Sequence, residues 1–124
     1  MHSCPFQYIV CMILGVGVDV VKIERIENAI ATRPRFLQRI FTDGEQEIVQ
    51  NPHEAAGRWA AKEAIIKCVG YRLPWRKMEI LRDPYGKPVA RILSDIGRGP
   101  VQIHVSITHD AGLAIAFAVM EQAK

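Results

Sequence analysis

Cysteine is scarce in this chain and poorly placed for chemistry. Its three residues, Cys4, Cys11 and Cys68, are odd in number, form no C-x-x-C pair and keep no regular spacing to histidine. That pattern argues against a disulfide framework or a zinc site and fits a reducing, cytosolic setting. Long apolar runs are lacking as well. The stretch from Pro5 to Val18 is broken only by Gln7, but it has no Lys or Arg in front of it. It also falls short of the roughly 18 to 20 residues that cross a bilayer, so neither a signal peptide nor a membrane anchor is expected. Aromatic residues make up only 7%, and in the basic stretch 58–77 they are chiefly Tyr71 and Trp75, which weakens a single-strand nucleic-acid stacking surface. A Gly-rich phosphate loop is missing, because Gly15-Val16-Gly17 supplies only G-x-G. Ser106 lies in no nucleophile-elbow sequence and Cys68 sits among Ala, Ile and Val, so covalent catalysis has no strong candidate. Internal repeats, low-complexity segments and linkers are absent too.

What remains is the composition of one folded domain. The chain has 124 residues, 49% hydrophobic and 23% charged, with a net charge of +3, which excludes a disordered tail or a coiled-coil rod and is too weakly basic for wholesale nucleic-acid coating. Residues 1–11 precede Met12 and a strand-like run, and are expected to be an extension outside a single domain of 12–124. Ile13 to Val21 is β-branched and apolar with two glycines, the pattern of a buried strand interrupted by Asp19. Ile23, Ile26, Ile30, Leu37, Ile40 and Phe41 recur at helical spacing across Pro34, which predicts two helical pieces. Thr42 three residues before Glu45 is a capping-box pattern for a short helix to about Gln50. Asn51-Pro52 then opens an Ala-rich helix that ends at Gly70. Runs at 78–82 and 88–93 flank an Asp-Pro-Tyr-Gly-Lys turn, and alternating runs at 103–108 and 113–119 flank Asp110-Ala111-Gly112. Strand, helices and then two hairpins read as α+β, helices packed on a largely antiparallel sheet.

Asp19 and Glu63 are carboxylates in apolar settings, a place where an unpartnered charge is costly. Each has a plain structural reading: Lys67 at i+4 satisfies Glu63, and a backbone amide satisfies Asp19. The alternative is that they converge on one hard divalent cation, since magnesium takes one or two carboxylates and completes its shell with water and phosphate oxygens. Residues 58–77 carry Arg58, Lys62, Lys67, Arg72, Arg76 and Lys77 against the single acid Glu63, which suits either a solvated helix face or a polyanionic ligand. A second cluster, Lys22, Arg25, Arg33, Arg35 and Arg39 with Phe36 and Leu37, suits either an acidic protein partner or a wet helix face over an inward Phe. His109 follows a strand and shares the parity of Ile103, Val105 and Ile107. On the residues alone, a Mg²⁺-dependent nuclease or phosphohydrolase and a basic binding module remain open.

The ordered set Gly15-Val16-Gly17-Val18-Asp19-Val20-Val21, Arg58 to Lys67 and His104-Val105-Ser106-Ile107-Thr108-His109 closely resembles the holo-acyl-carrier-protein synthases. These are the small bacterial type of 4′-phosphopantetheinyl transferase. Arg25, Phe41, Glu45 and Gly86-Lys87-Pro88 agree with the pattern, while the extension before Met12 and Pro34 depart from it. The resemblance implies that fold, and transfer of phosphopantetheine from coenzyme A to a serine of apo-acyl carrier protein in fatty acid biosynthesis, releasing adenosine 3′,5′-bisphosphate. It implies Asp19 and Glu63 as Mg²⁺ ligands, Arg58, Lys62 and His109 as coenzyme A contacts, and Glu63 and Lys67 as catalytic residues. Either Glu63 or a water on the metal takes the serine proton. Arg25, Arg35 and Phe36 are implied to meet the carrier protein. A cytoplasmic homotrimer with active sites between subunits is implied as well, with no nucleic-acid or membrane partner.

Overall fold

A computed structural model describes residues 12–123, so the expectations for residues 1–11, Cys4 and Cys11 included, lie outside the described residues. Strand β1 (Ile13–Lys22) leads directly into helix α1 (Ile23–Thr32), then α2 (Phe36–Ile40), α3 (Asp43–Ile48) and the long α4 (Pro52–Val69). A short 3₁₀ turn (Trp75–Lys77) precedes β2 (Met78–Arg82), β3 (Pro88–Ile92), β4 (Val101–Asp110) and β5 (Leu113–Gln122). The strands form one sheet in the order β1-β5-β4-β3-β2, and every pairing is antiparallel. The α+β reading therefore holds. His109 lies within β4, one row before the tight Ala111-Gly112 turn, whose two residues both have positive φ.

Local chemistry sets the helix limits. The Asn51 side chain accepts a hydrogen bond from the Glu54 amide (2.9 Å), Pro52 occupies the first turn, and Gly70 at φ 94° turns the chain out of α4. Ala55, Ala56, Ala60, Ala61, Ala64 and Ile65 are fully buried where α4 lies across the sheet. The small side chains allow a close approach, and it is closest at β1. A Cβ at Gly15 or Gly17 would run into the backbone carbonyls of Cys68 and Ala64 respectively. Gly17 therefore serves strand-on-helix contact, a role that has nothing to do with phosphate binding.

The expectation of a wholly buried β1 needs correction. Gly17 and Val21 face α4 and are buried, but Val16, Val18 and Val20 on the other face are 57%, 54% and 55% exposed. Alternation puts one apolar face on the core and leaves the other uncovered by this chain.

The Thr42 capping box forms and grows into a buried polar network. Glu45 Oε1 accepts from the Thr42 amide (2.9 Å) and Lys62 Nζ (2.6 Å), and Oε2 accepts from the Ile80 amide (2.9 Å). The Thr42 hydroxyl donates to Glu79 Oε2 (2.6 Å), and Arg91 donates to Glu79 Oε1. The Thr42 hydrogen bond, helped by Arg91, holds the Glu79 carboxyl below its ordinary value of 4.5 against the opposing effect of burial. A depressed carboxylate stabilises the fold fully above that ordinary value and loses its contribution as pH falls through the folded one. Glu79→Gln should thus lower stability at pH 7 by about 1 to 3 kcal/mol. The gap from wild type should close in acid, as thermal melts between pH 7 and pH 3 will record.

Candidate active site

Asp19 and Glu63 come together because Gly17 brings β1 onto α4. Asp19 follows Gly17 by two residues and so shares its face, while Glu63 directly precedes Ala64, whose carbonyl Gly17 meets. Both carboxylates are mostly shielded, with side chains 19% and 21% exposed. Burial raises the Asp19 carboxyl above its ordinary value, the adjacent Glu63 charge adds to this, and Lys67 and Arg25 oppose it. Asp19 and Glu63 thus flank one contact of β1 with α4, which makes the pair a candidate site.

The plain structural readings of both acids named the wrong partners. Lys67 reaches across to Asp19 (3.5 Å) and the Val18 carbonyl (2.7 Å), and Glu63 pairs with Arg72 (3.1 Å), nine residues away. Both cations are more than half exposed. Such pairs contribute about 0 to 1 kcal/mol, so an incoming cation can displace them. Among the described residues no group of three or more His, Cys, Asp or Glu side chains could form a closed metal cage. Two adjacent carboxylates without further protein ligands suit a hard cation that fills its shell with water and substrate oxygens.

A second cleft of about 270 Å³ lies on the other flank of α4, lined by Glu54, Gly57, Arg58, Arg82, Gly86, Pro88, Ile107 and His109. Gly57 makes it possible, since a Cβ there would press on Ile107 and on the His109 ring. His109 Nε2 donates to the His53 carbonyl (2.8 Å), which fixes the tautomer and leaves Nδ1 free to accept. Arg58 is buried and its Nε donates to the Ile80 carbonyl (2.9 Å). Arg82 pairs with Glu54 in the same cleft, a place that its position at the end of β2 before the Gly86 turn makes legible in the sequence. Arg58 therefore faces β2 while Glu63 and Lys67 face β1, at opposite edges of the sheet. Within one chain the carboxylate pair and the His109 cleft lie on different flanks of α4.

Lys62 must be withdrawn as a ligand contact. It is fully buried, and its ammonium donates to Glu45, the Ile40 carbonyl (2.8 Å) and the Trp75 carbonyl (3.0 Å), which uses all three protons. Burial pulls its pKa down and Glu45 resists. Removing either member of this pair should cost about 3 to 5 kcal/mol.

Phe36 must be withdrawn as an exposed contact. It is only 6% exposed and stacks on Trp59 (5.9 Å), which stacks in turn on Trp75 (4.4 Å). Arg25 lies over the Trp59 ring at 5.6 Å. Arg33, Arg35 and Arg39 are exposed and, with Arg25, make no ion pair among the described residues. A groove of about 330 Å³ results, with Phe36, Ile40, Trp59 and Trp75 as floor and Arg33 and Arg39 at its rim. Trp59 is thus a further candidate contact, and its position four before Glu63 puts it on the same helix face.

The family model of the 4′-phosphopantetheinyl transferase superfamily matches residues 15–118, a span that contains both carboxylates and the His109 cleft. The chain belongs to this superfamily. The holo-[acyl-carrier-protein] synthase of Halalkalibacterium halodurans is 39% identical over 121 residues, 90% of this chain and 98% of that protein. Among solved structures, the holo-(acyl-carrier-protein) synthase of Bacillus anthracis in complex with CoA (3′,5′-ADP) superposes with a TM-score of 0.78 at 30% identity, covering 90% of this chain and 99% of that one. The Helicobacter pylori synthase in complex with coenzyme A gives 0.77 at 27% identity, covering 85% and 98%. The enzyme is thus of the holo-acyl-carrier-protein synthase type.

Proposed function

We propose that Asp19 and Glu63 hold a magnesium ion while this enzyme moves 4′-phosphopantetheine from coenzyme A to a serine hydroxyl of apo-acyl carrier protein. The observation that carries the assignment is the carboxylate pair itself, set by Gly17 and covered only by exchangeable surface cations. In the reaction the serine oxygen bonds to the phosphorus next to pantetheine. The diphosphate bond breaks and adenosine 3′,5′-bisphosphate leaves. The metal, when bound, supplies charge neutralisation at the diphosphate. In this reading Glu63 accepts the serine proton, and Lys67 offers its charge to the departing phosphate. Arg58 and His109 in the second cleft suit the nucleotide phosphates, with Nδ1 of His109 available as a hydrogen-bonding atom.

The two halves sit on opposite flanks of α4, so a complete site needs the Asp19 flank of one subunit against the His109 flank of another. Val16, Val18, Val20 and Phe117 supply an uncovered apolar face on β1 and β5 for that association, and a homotrimer closes it with one site per interface. We place the enzyme in the cytoplasm, serving fatty acid synthesis. No helix among the described residues is long and apolar enough to cross a membrane.

Intact-mass measurement of apo-acyl carrier protein after incubation with coenzyme A tests the reading. The carrier should gain one phosphopantetheine with Mg²⁺ and none with chelator. Release of nucleotide without gain of carrier mass would favour a phosphohydrolase.

The exposed arginines on and around α1 and α2, Arg25 and Arg35 beside the groove rimmed by Arg33 and Arg39, suit the acidic surface of the carrier. Arg25→Glu and Arg35→Glu should each raise the carrier KM about tenfold to a hundredfold, with part of the loss removed by added salt. For Arg35→Glu, coenzyme A affinity measured by calorimetry should stay at the wild-type value. An unchanged carrier KM would make α1 and α2 a merely solvated surface.

A further inference from the structure

Arg72 stands in a place that the reaction as assigned above leaves unused. Gly70 turns the chain at the end of α4, and residues 71–77 fold back along that helix. The segment just after the arginine is pinned. Leu73 is buried, the Trp75 carbonyl accepts from Lys62, and Arg76 donates to the Gln38 carbonyl (2.8 Å) on α2. Arg72 is held differently. Its guanidinium lies over the Trp75 ring at 5.4 Å, one Nη donates to Glu63, and the side chain is 61% exposed. A pinned backbone thus carries an exposed cation to the edge of the carboxylate pair.

We infer that Arg72 is a resident counter-ion that exchanges Glu63 for the diphosphate of coenzyme A when the metal takes the carboxylate. The inference rests on the assignment of Asp19 and Glu63 as metal ligands. Metal and guanidinium compete for the same carboxylate, and like charge drives them apart once the metal is held. The aromatic face keeps the displaced guanidinium close by, because a cation over Trp retains attraction without a carboxylate. The anion that arrives beside the metal is a diphosphate, whose oxygens match the planar, forked donors of arginine and are met less well by lysine. The residue therefore opposes metal binding in the free enzyme and favours substrate binding in the metal-loaded one.

Opposite signs in two titrations make the test. Arg72→Gln and Arg72→Lys, whose exposed site predicts an unchanged melting temperature, are titrated with Mg²⁺ alone and then with coenzyme A at saturating Mg²⁺. Calorimetry and tryptophan emission, sensitive to the cation on Trp75, supply the readouts. Arg72→Gln should bind Mg²⁺ up to about fivefold more tightly, and coenzyme A about tenfold or more weakly. Arg72→Lys should fall between wild type and Arg72→Gln in the coenzyme A titration. Unchanged coenzyme A affinity in Arg72→Gln, whatever happens to Mg²⁺, would overturn the inference and leave a surface ion pair. Weaker Mg²⁺ binding in that variant would overturn it equally. Glu63→Ala is the separate control: if wild type and Glu63→Ala bind Mg²⁺ alike, the metal assignment itself fails, independently of Arg72.

Discussion

Alanine at Glu63 or at Asp19 should abolish phosphopantetheine transfer while the protein stays folded. On the metal assignment proposed above each substitution removes a ligand, and the several kcal/mol of transition-state charge stabilisation lost with it corresponds to about a thousandfold or more in rate. Neither should harm stability. The ion pairs that are lost are partly exposed and worth little. For Asp19 the sign is reversed, because its carboxyl is raised by burial and by Glu63. A raised carboxylate favours the fold below its unfolded value and burdens it once pH passes the folded one. At pH 7 Asp19→Ala should therefore melt at or above the wild-type temperature. Single-turnover mass spectrometry of the carrier, paired with calorimetric melting, checks both halves. Full activity in either variant with Mg²⁺ as the sole divalent ion would remove the carboxylate pair from the mechanism.

A charge on the uncovered sheet face should be nearly as damaging without touching either cleft. Phe117 lies directly opposite Val18 in the β1–β5 pairing and is 46% exposed. Within one chain Phe117→Asp meets water and leaves the fold unharmed. Across an apolar interface the same carboxylate is buried unpaired, at a cost of several kcal/mol at each contact. Sedimentation at micromolar concentration should show a monomer with wild-type far-ultraviolet dichroism and transfer reduced about a hundredfold or more. A monomer that keeps the wild-type rate would mean that one chain holds the whole site.

Much of the architecture was legible because the relevant interactions are local. Thr42 and Glu45 form their capping box, Asn51, Pro52 and Gly70 bound α4, and Asp110-Ala111-Gly112 turns the last hairpin. What stayed hidden depends on elements meeting at long range. No periodicity marks Lys62 as buried, because its partner Glu45 lies 17 residues away on a different helix. The charged stretch 58–77 looked like one basic patch. The fold takes it apart, burying Arg58 and Lys62 and pairing Lys67, Arg72 and Arg76 with Asp19, Glu63 and Asp43. Phe36 could not be assigned to core or surface from spacing alone, since its neighbours Trp59 and Trp75 arrive from α4 and the 3₁₀ turn. The carboxylate pair could be proposed from chemistry, but the helix that joins it to β1 had to be seen.

The contact of Gly17 with the Ala64 carbonyl also fixes a size. Main chain rests on main chain there, so no rotamer change can widen or narrow the gap between the strand that bears Asp19 and the helix that bears Glu63. For the metal proposed above, two carboxylates carried on a fixed backbone spacing favour an ion that insists on its own bond lengths. The small, octahedral magnesium ion does so, while calcium accepts longer and more varied distances. On the proposed assignment, discrimination between the two would pass in part to Gly17, a residue that has no side chain.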